Sequence, residues 1–230
     1  MRLDKYICES TTMTRSQAKK VIIQGRITSS DTTVRNTAYK VSENEPIRFD
    51  GNLMNVRGTR YIMLNKPKDY ICSNVDEQLP SIINLIKVDK PGQLCIAGRL
   101  DADTTGLALI TDDGQWSHKI TSPRRNCSKR YRATLAQPVE ENAVSLFKEG
   151  IQLKSENAPC LPATLEILTN NEVLLTIEEG KYHQVKRMFA AIGNLVVELH
   201  REQIGQIELD AQLKLGEWRY LTDEEVNSVK

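Results

Sequence analysis

Gly98-Arg-Leu-Asp101-Ala-Asp103-Thr-Thr-Gly106-Leu-Ala-Leu-Ile-Thr-Asp112-Asp-Gly114 sets two carboxylates in a polar loop between two apolar runs, residues 94–97 before it and 107–111 after it. Runs of four or five apolar residues bounded by Gly and Asp are too short for helices and read as strands. Working outward, further strands fall at 61–64, 131–136, 164–168, 173–178 and 196–199, with shorter helical stretches at 80–86, 140–150 and 184–192. The order is mixed rather than regularly alternating, so this part of the chain reads as an α+β domain with a mixed, largely antiparallel sheet. Taken alone, the loop admits two plain readings. Asp and Gly are turn formers. Asp101, Asp103, Thr105, Gly106 and Asp112 also fall at the spacing of a calcium loop, although such a loop should join helices and end in Glu.

The chain before residue 59 has a different character. Thr14 or Ser16 can cap a helix with Ala18, Val21 and Ile22 on its buried side and Gly25 as its stop. Arg15, Lys19 and Lys20 then lie on the outer face. Residues 26–34 and 46–50 alternate as strands, so a small helix-plus-sheet module ends near Asp50-Gly51, and polar residues 51–60 read as a linker. The expected division is 1–58 and 59–230.

At 230 residues, with 40% hydrophobic and 27% charged residues, the composition is that of an ordinary globular protein. The longest uncharged run, 188–197, is half the ~20 residues that a membrane helix needs, so no membrane span is expected. Acids at Asp4 and Glu9 interrupt any secretory signal. Five cysteines, odd in number and without a Cys-x-x-Cys pair, argue against a disulfide framework or zinc site and favour a reducing cytoplasm. The three histidines share no close metal spacing, so no metal is expected.

Net charge is only +1, but it is unevenly spread: residues 1–58 carry +4 and the remainder −3. Residues 114–139 contain Lys119, Arg124, Arg125, Lys129, Arg130 and Arg132 and no acid. Such a run is either a solvated loop or a footprint for nucleic acid phosphates.

Several segments together bear a family resemblance. Arg2-Leu-Asp-Lys-Tyr-Ile with Thr14 to Ile27 resembles an S4-type RNA-binding module, although its turn at 29–33 lacks the usual glycine. Gly98-Arg-Leu-Asp101-x-x-Thr104-x-Gly106-Leu resembles the catalytic motif of the pseudouridine synthases. Asn65-Lys-Pro67, Lys129-Arg-Tyr131, Glu179-Gly-Lys-Tyr-His-Gln-Val-Lys186-Arg-Met188 and His200-Arg-Glu-Gln-Ile-Gly205 are similar to its other motifs, in the family's order. The resemblance points to the branch acting on ribosomal RNA, at the 16S rRNA pseudouridine(516) site. It implies 16S rRNA or a small-subunit assembly intermediate as partner, a monomer, and no cofactor.

By this resemblance Asp101 is the catalytic carboxylate and Lys186 its ion-pair partner. Attack at ribose C1′, addition at uracil C6 and a glycal route all require the same ionised Asp. The target base must leave its stack, and Tyr131 is the candidate platform, with Lys129, Arg130 and Arg132 near phosphates. The ordinary alternative for Tyr131 is a core aromatic. Arg99, beside Asp101, is a candidate phosphate contact or a plain surface ion pair. His183 and Arg187 join Arg15, Lys19, Lys20, Arg124 and Arg125 as expected RNA contacts. The rival readings are a large-subunit rRNA synthase of the same family and a non-catalytic RNA-binding assembly protein.

Overall fold

A computed structural model describes residues 1–11, 13–55, 58–154 and 156–229. The chain forms two compact units, Met1–Thr59 and Arg60–Lys230. In the first, helices α1 (Leu3–Ser10) and α2 (Arg15–Ile23) pack with a sheet ordered β2-β1-β3-β4, formed by β1 (Ile27–Ser29), β2 (Thr32–Thr33), β3 (Ile47–Phe49) and β4 (Asn52–Met54). Thr14 caps α2 and trades hydrogen bonds with Gln17, satisfying donors that the helix start leaves open. Ala18, Val21 and Ile22 meet Leu3, Ile7, Ile27 and Ile47 in one apolar cluster. The glycine-free turn between β1 and β2 is made by Ser30 and Asp31 at φ 44° and 67°, the two successive left-handed residues that a tight hairpin demands.

Residues after Gly51 are not a linker from the start. Asp50 and Gly51 turn the chain so that β4 pairs with β3, Phe49 opposite Asn52, and the module extends beyond the expected end. Val56 and Arg57, within the expected linker, lie outside the described residues.

The second unit is built on a sheet ordered β13-β5-β7-β11-β8-β10-β9, with β6 on β7 and β12 on β11 among the described residues. Its strands are β5 (Tyr61–Lys66), β6 (Cys95–Ile96), β7 (Thr105–Thr111), β8 (Lys129–Leu135), β9 (Thr164–Thr169), β10 (Glu172–Ile177), β11 (Val196–Ile204), β12 (Ile207–Glu208) and β13 (Trp218–Tyr220). Its helices are α3 (Gly114–Thr121), α4 (Asn142–Glu149), α5 (Gln184–Ala191) and α6 (Asp223–Asn227). The stretch expected as a helix at 80–86 contains only a short 3-10 turn, Ile82–Leu85. Helix α3 was not foreseen: Asp113 caps it, and Trp116 and Ile120 bury one face.

The near-continuous burial along β5 and β7 has a simple cause: these strands are covered on both faces. Ile62, Leu64, Ala108 and Ile110 join the cluster containing Phe147 of α4 and Phe189 of α5, while Met63, Leu107 and Leu109 join Trp116 and Ile120 of α3. Among the described residues, pairings between the named strands are antiparallel except one. β7 and β11 run parallel, with Thr105 beside His200 and Gly106 beside Arg201.

That junction explains Gly106. Its φ is 104°, and a Cβ there would stand 2.3 Å from the carbonyl oxygen of Arg201. Gly106→Ala is therefore expected to destabilise the second unit by about 3 kcal/mol or more, through backbone strain and forced separation of the strands. Urea unfolding checks it, and a loss under ~1 kcal/mol would refute the close-approach argument.

Candidate active site

The loop between β6 and β7 leaves the sheet at Ala97, whose N–H still donates to Leu109 O, and returns at Thr105. Asp101 and Asp103 lie in it, and its path is set mainly through backbone groups. Thr104 N–H donates to Asp101 O at 3.1 Å and Asp69 N–H to Ala102 O at 2.9 Å. Two buried cations complete the hold. The fully buried Lys66 ammonium, at the end of β5, donates to Pro67 O (2.9 Å), Ala102 O (3.1 Å) and Thr104 O (2.9 Å). Arg201 of β11, only 2% exposed, donates through Nε to Leu107 O (2.8 Å) and through Nη1 to Arg99 O (3.3 Å). Carbonyl partners of this kind let a cation stay buried, since an unsatisfied one would be strongly disfavoured. Burial still pushes the Lys66 ammonium below its ordinary pKa.

On the open side of the loop, Lys186 in the first turn of α5 donates to Asp101 Oδ2 at 3.1 Å and to Asp103 Oδ1 at 2.6 Å. Burial pulls the Lys186 pKa down, but its bonds to Asp103 and Asp101 and their charge outweigh it and raise the net value. Burial likewise pushes Asp103 up, and Lys186 more than reverses it, leaving Asp103 below the usual carboxylate range. Both signs favour the ionised Lys186–Asp103 pair at neutral pH. His183 Nε2 stands 3.4 Å from Asp101 Oδ1. His183 precedes α5 in the left-handed region, at φ 47°, uncommon for a residue other than glycine.

Asp101 and His183 line one cleft of about 650 Å³, which they share with Arg99, Tyr131, Lys129 and Arg201. Tyr131, 8% exposed, presents its ring beneath the Arg201 guanidinium, 5.9 Å from the centroid, and its hydroxyl lies 3.4 Å from Arg201 Nη1. It is at once part of the apolar cluster and part of the cleft wall. A smaller pocket of about 100 Å³ adjoins Asp101, Thr104, Tyr131 and Lys186. Thr104 Oγ1 and Arg201 Nη2 are buried without a hydrogen-bond partner among the described residues. An ionised carboxylate, a cation on it, an aromatic ring and unspent donors can together bind a flat polar ring and react with it at one face.

The expected RNA contacts divide. Arg99 is exposed on the cleft and forms no ion pair among the described residues, and the same is true of Arg124 and Arg125 just beyond α3 apart from the cleft lining, which reaches Pro123. Lys129 lines the cleft, where burial lowers its pKa. Arg130 and Arg132 are not brought to it. Alternation along β8 turns them to the face opposite Tyr131, where Arg130 pairs with Glu202 and Glu208 and Arg132 with Glu172 and Glu202. Arg187 is held by Glu156 and by the carbonyls of Lys154 and Tyr182. Arg15, Lys19 and Lys20 are exposed on α2 of the first unit. The calcium-loop arrangement does not form: the seven residues of β7 carry Asp112 ~20 Å along, where it accepts from the backbone and guanidinium of Arg60 at 2.7 and 2.8 Å.

Sequence reasoning gave no role to Lys66 or Arg201, and gave Asp103 only that of a calcium ligand, although all three were in quoted segments. A lysine closing an apolar strand was a signal for Lys66, since a buried ammonium must find partners.

Comparison with known proteins shows what the whole chain is similar to. The family described as RNA pseudouridylate synthase matches residues 60–191, and the S4 domain matches residues 1–47. The chain is 52% identical to Ribosomal small subunit pseudouridine synthase A of Vibrio parahaemolyticus, over 100% of this chain and 99% of that one. It is 50% identical to the protein of the same name from Escherichia coli K12, over 100% of both. A crystal structure of a pseudouridylate synthase, 48% identical, superposes over 100% of both chains with a TM-score of 0.73.

Proposed function

Because the chain belongs to the RNA pseudouridylate synthase family and carries an S4 domain, we propose that it converts one uridine of small-subunit ribosomal RNA, uridine 516 of 16S rRNA, to pseudouridine. The observation carrying this reading is Asp101 on the wall of the cleft, ion-paired to Lys186 and sharing that cleft with Tyr131. The substrate part rests on the names of the full-length relatives.

The reaction breaks the bond from ribose C1′ to uracil N1 and rejoins the ring through C5. Atoms and oxidation level are conserved, so no cofactor is required. Asp101 is the catalytic carboxylate, and Lys186, 3.1 Å from it, is the cation that faces it when a base is bound. The uridine leaves its helical stack to reach the cleft, and the Tyr131 ring takes up the stacking it lost, a contribution of ~1 to 3 kcal/mol. Arg99, Arg124, Arg125 and Lys129 meet phosphates around the cleft, and Arg15, Lys19 and Lys20 do so from the S4 domain. The enzyme acts in the cytoplasm as a monomer, on 16S rRNA or on a small-subunit assembly intermediate.

A site-resolved map of pseudouridine in ribosomal RNA, by carbodiimide labelling and reverse transcription after incubation with the protein, tests the reading. One new stop in small-subunit RNA is expected. A stop in large-subunit RNA would transfer the activity to that substrate, and no stop in any RNA would reject catalysis.

A further inference from the structure

Tyr182 is 72% exposed, although a tyrosine ring usually buries most of its area. It is not loose. Its ring stacks on the imidazole of His183 at 3.8 Å between centroids and 19° between planes, and its carbonyl accepts a hydrogen bond from Arg187 Nη1 at 3.1 Å. Arg187 is itself tied to Glu156 and Lys154 O, so the stack stands on an anchored backbone. His183 is fixed at its other end by the left-handed turn into α5 and by Asp101, 3.4 Å from its Nε2. Tyr182 and His183 both line the cleft that holds Asp101 and Tyr131. The result is a second aromatic surface, one layer out from the catalytic carboxylate, with a free face toward solvent.

Resting on the function proposed above, we infer that Tyr182 is the stacking platform for an unpaired RNA base next to the reacting uridine. A flipped uridine leaves its neighbours with an exposed face. The outer face of Tyr182 offers a partner within the same cleft, and a π face accepts any base. Arg99 on the cleft wall, free of ion pairs among the described residues, supplies a cation for the phosphate linking the two nucleotides. The Tyr182-His183 stack thus divides the work with Tyr131: the inner ring holds the uracil that reacts, and the outer ring holds the neighbour that has been unstacked. Recognition there is by face rather than by hydrogen-bonding edge, so it fixes the geometry of the strand more than the identity of the base.

The test compares wild type, Tyr182→Phe and Tyr182→Leu for affinity to a 16S rRNA transcript by filter binding, together with KM for pseudouridine formation and the melting temperature of the free protein. Tyr182→Leu is expected to weaken binding and raise KM by ~10-fold, without lowering the melting temperature, because the ring is exposed. Tyr182→Phe keeps the ring and should stay within ~2-fold of wild type. Equal affinity of Tyr182→Leu and wild type would overturn the inference, as would a Phe variant as weak as Leu, which would assign the effect to the hydroxyl. If wild type isomerises no uridine in this transcript or in partly assembled small subunits, the proposed function fails, and the affinity comparison still decides whether Tyr182 stacks on RNA.

Discussion

Asp101→Asn is expected to lower kcat for pseudouridine formation by ~10⁴-fold or more, the scale seen when a nucleophilic group is removed from an assembled site. The substitution keeps the size and one acceptor oxygen of the side chain but removes the charge that each chemical route needs. Lys186 retains Asp103 at 2.6 Å as a partner, so the ammonium is not stranded and the cleft keeps its shape. RNA affinity should then remain within ~3-fold of wild type, because the proposed phosphate contacts are elsewhere. Single-turnover kinetics with a filter-binding control separates the two quantities. Residual turnover above ~1% of wild type would reject Asp101 as the catalytic carboxylate.

Lys66→Met is the second large effect, and it acts on the fold and the chemistry together. The methionine fills the stem but leaves the carbonyls of Pro67 and Thr104 without the ammonium they shared, while Ala102 O keeps only Asp69 N–H. An unsatisfied buried acceptor costs about 1 to 3 kcal/mol, and removing a desolvated charge offsets part of the total. A net loss of about 3 kcal/mol is expected, seen as a melting temperature lower by ~6 to 12 °C for a unit of this size. Activity should fall by ~100-fold, since the loop bearing Asp101 loses its anchor. Linkage gives an independent check. Burial lowers the folded pKa of Lys66 below its unfolded value of ~10.4. Between those two values the unfolded chain holds the extra proton, so this group makes wild-type stability rise with pH, and the Met variant lacks that increment. Calorimetry across pH 7 to 11 that showed equal stability and equal slope for both proteins would remove Lys66 from its assigned place.

The strand-loop-strand around Asp101 was legible because its signal is local: short apolar runs, polar residues between them, and Gly where the chain turns. The pairing of Asp101 with Lys186 was reached only through family resemblance, since 85 residues separate the two and no periodicity links them. The same limit misplaced part of the basic segment. Alternation along residues 129–132 already put Arg130 and Arg132 on the other face from Tyr131. Their acidic partners, 40 to 78 residues away, had no trace in local sequence. Helix α3 was hidden for a different reason. Its residues were read for charge, and the spacing of Trp116 and Ile120 behind the Asp113 cap went unused. Helix α1 offered less: Leu3 and Ile7 are a thin apolar stripe, and its buried Asp4 is tolerated because Arg2 pairs with it at 2.9 Å.

The grip on the Asp101 loop passes through peptide carbonyls, at positions 99, 102 and 104, and peptide carbonyls are the same whatever side chain a residue bears. Residues 99 and 102 are therefore free to drift while the Asp101 carboxylate stays where it is. A scaffold wired this way can be retargeted to a different stretch of RNA by rewriting the rim of its loop, with the chemistry inherited unchanged.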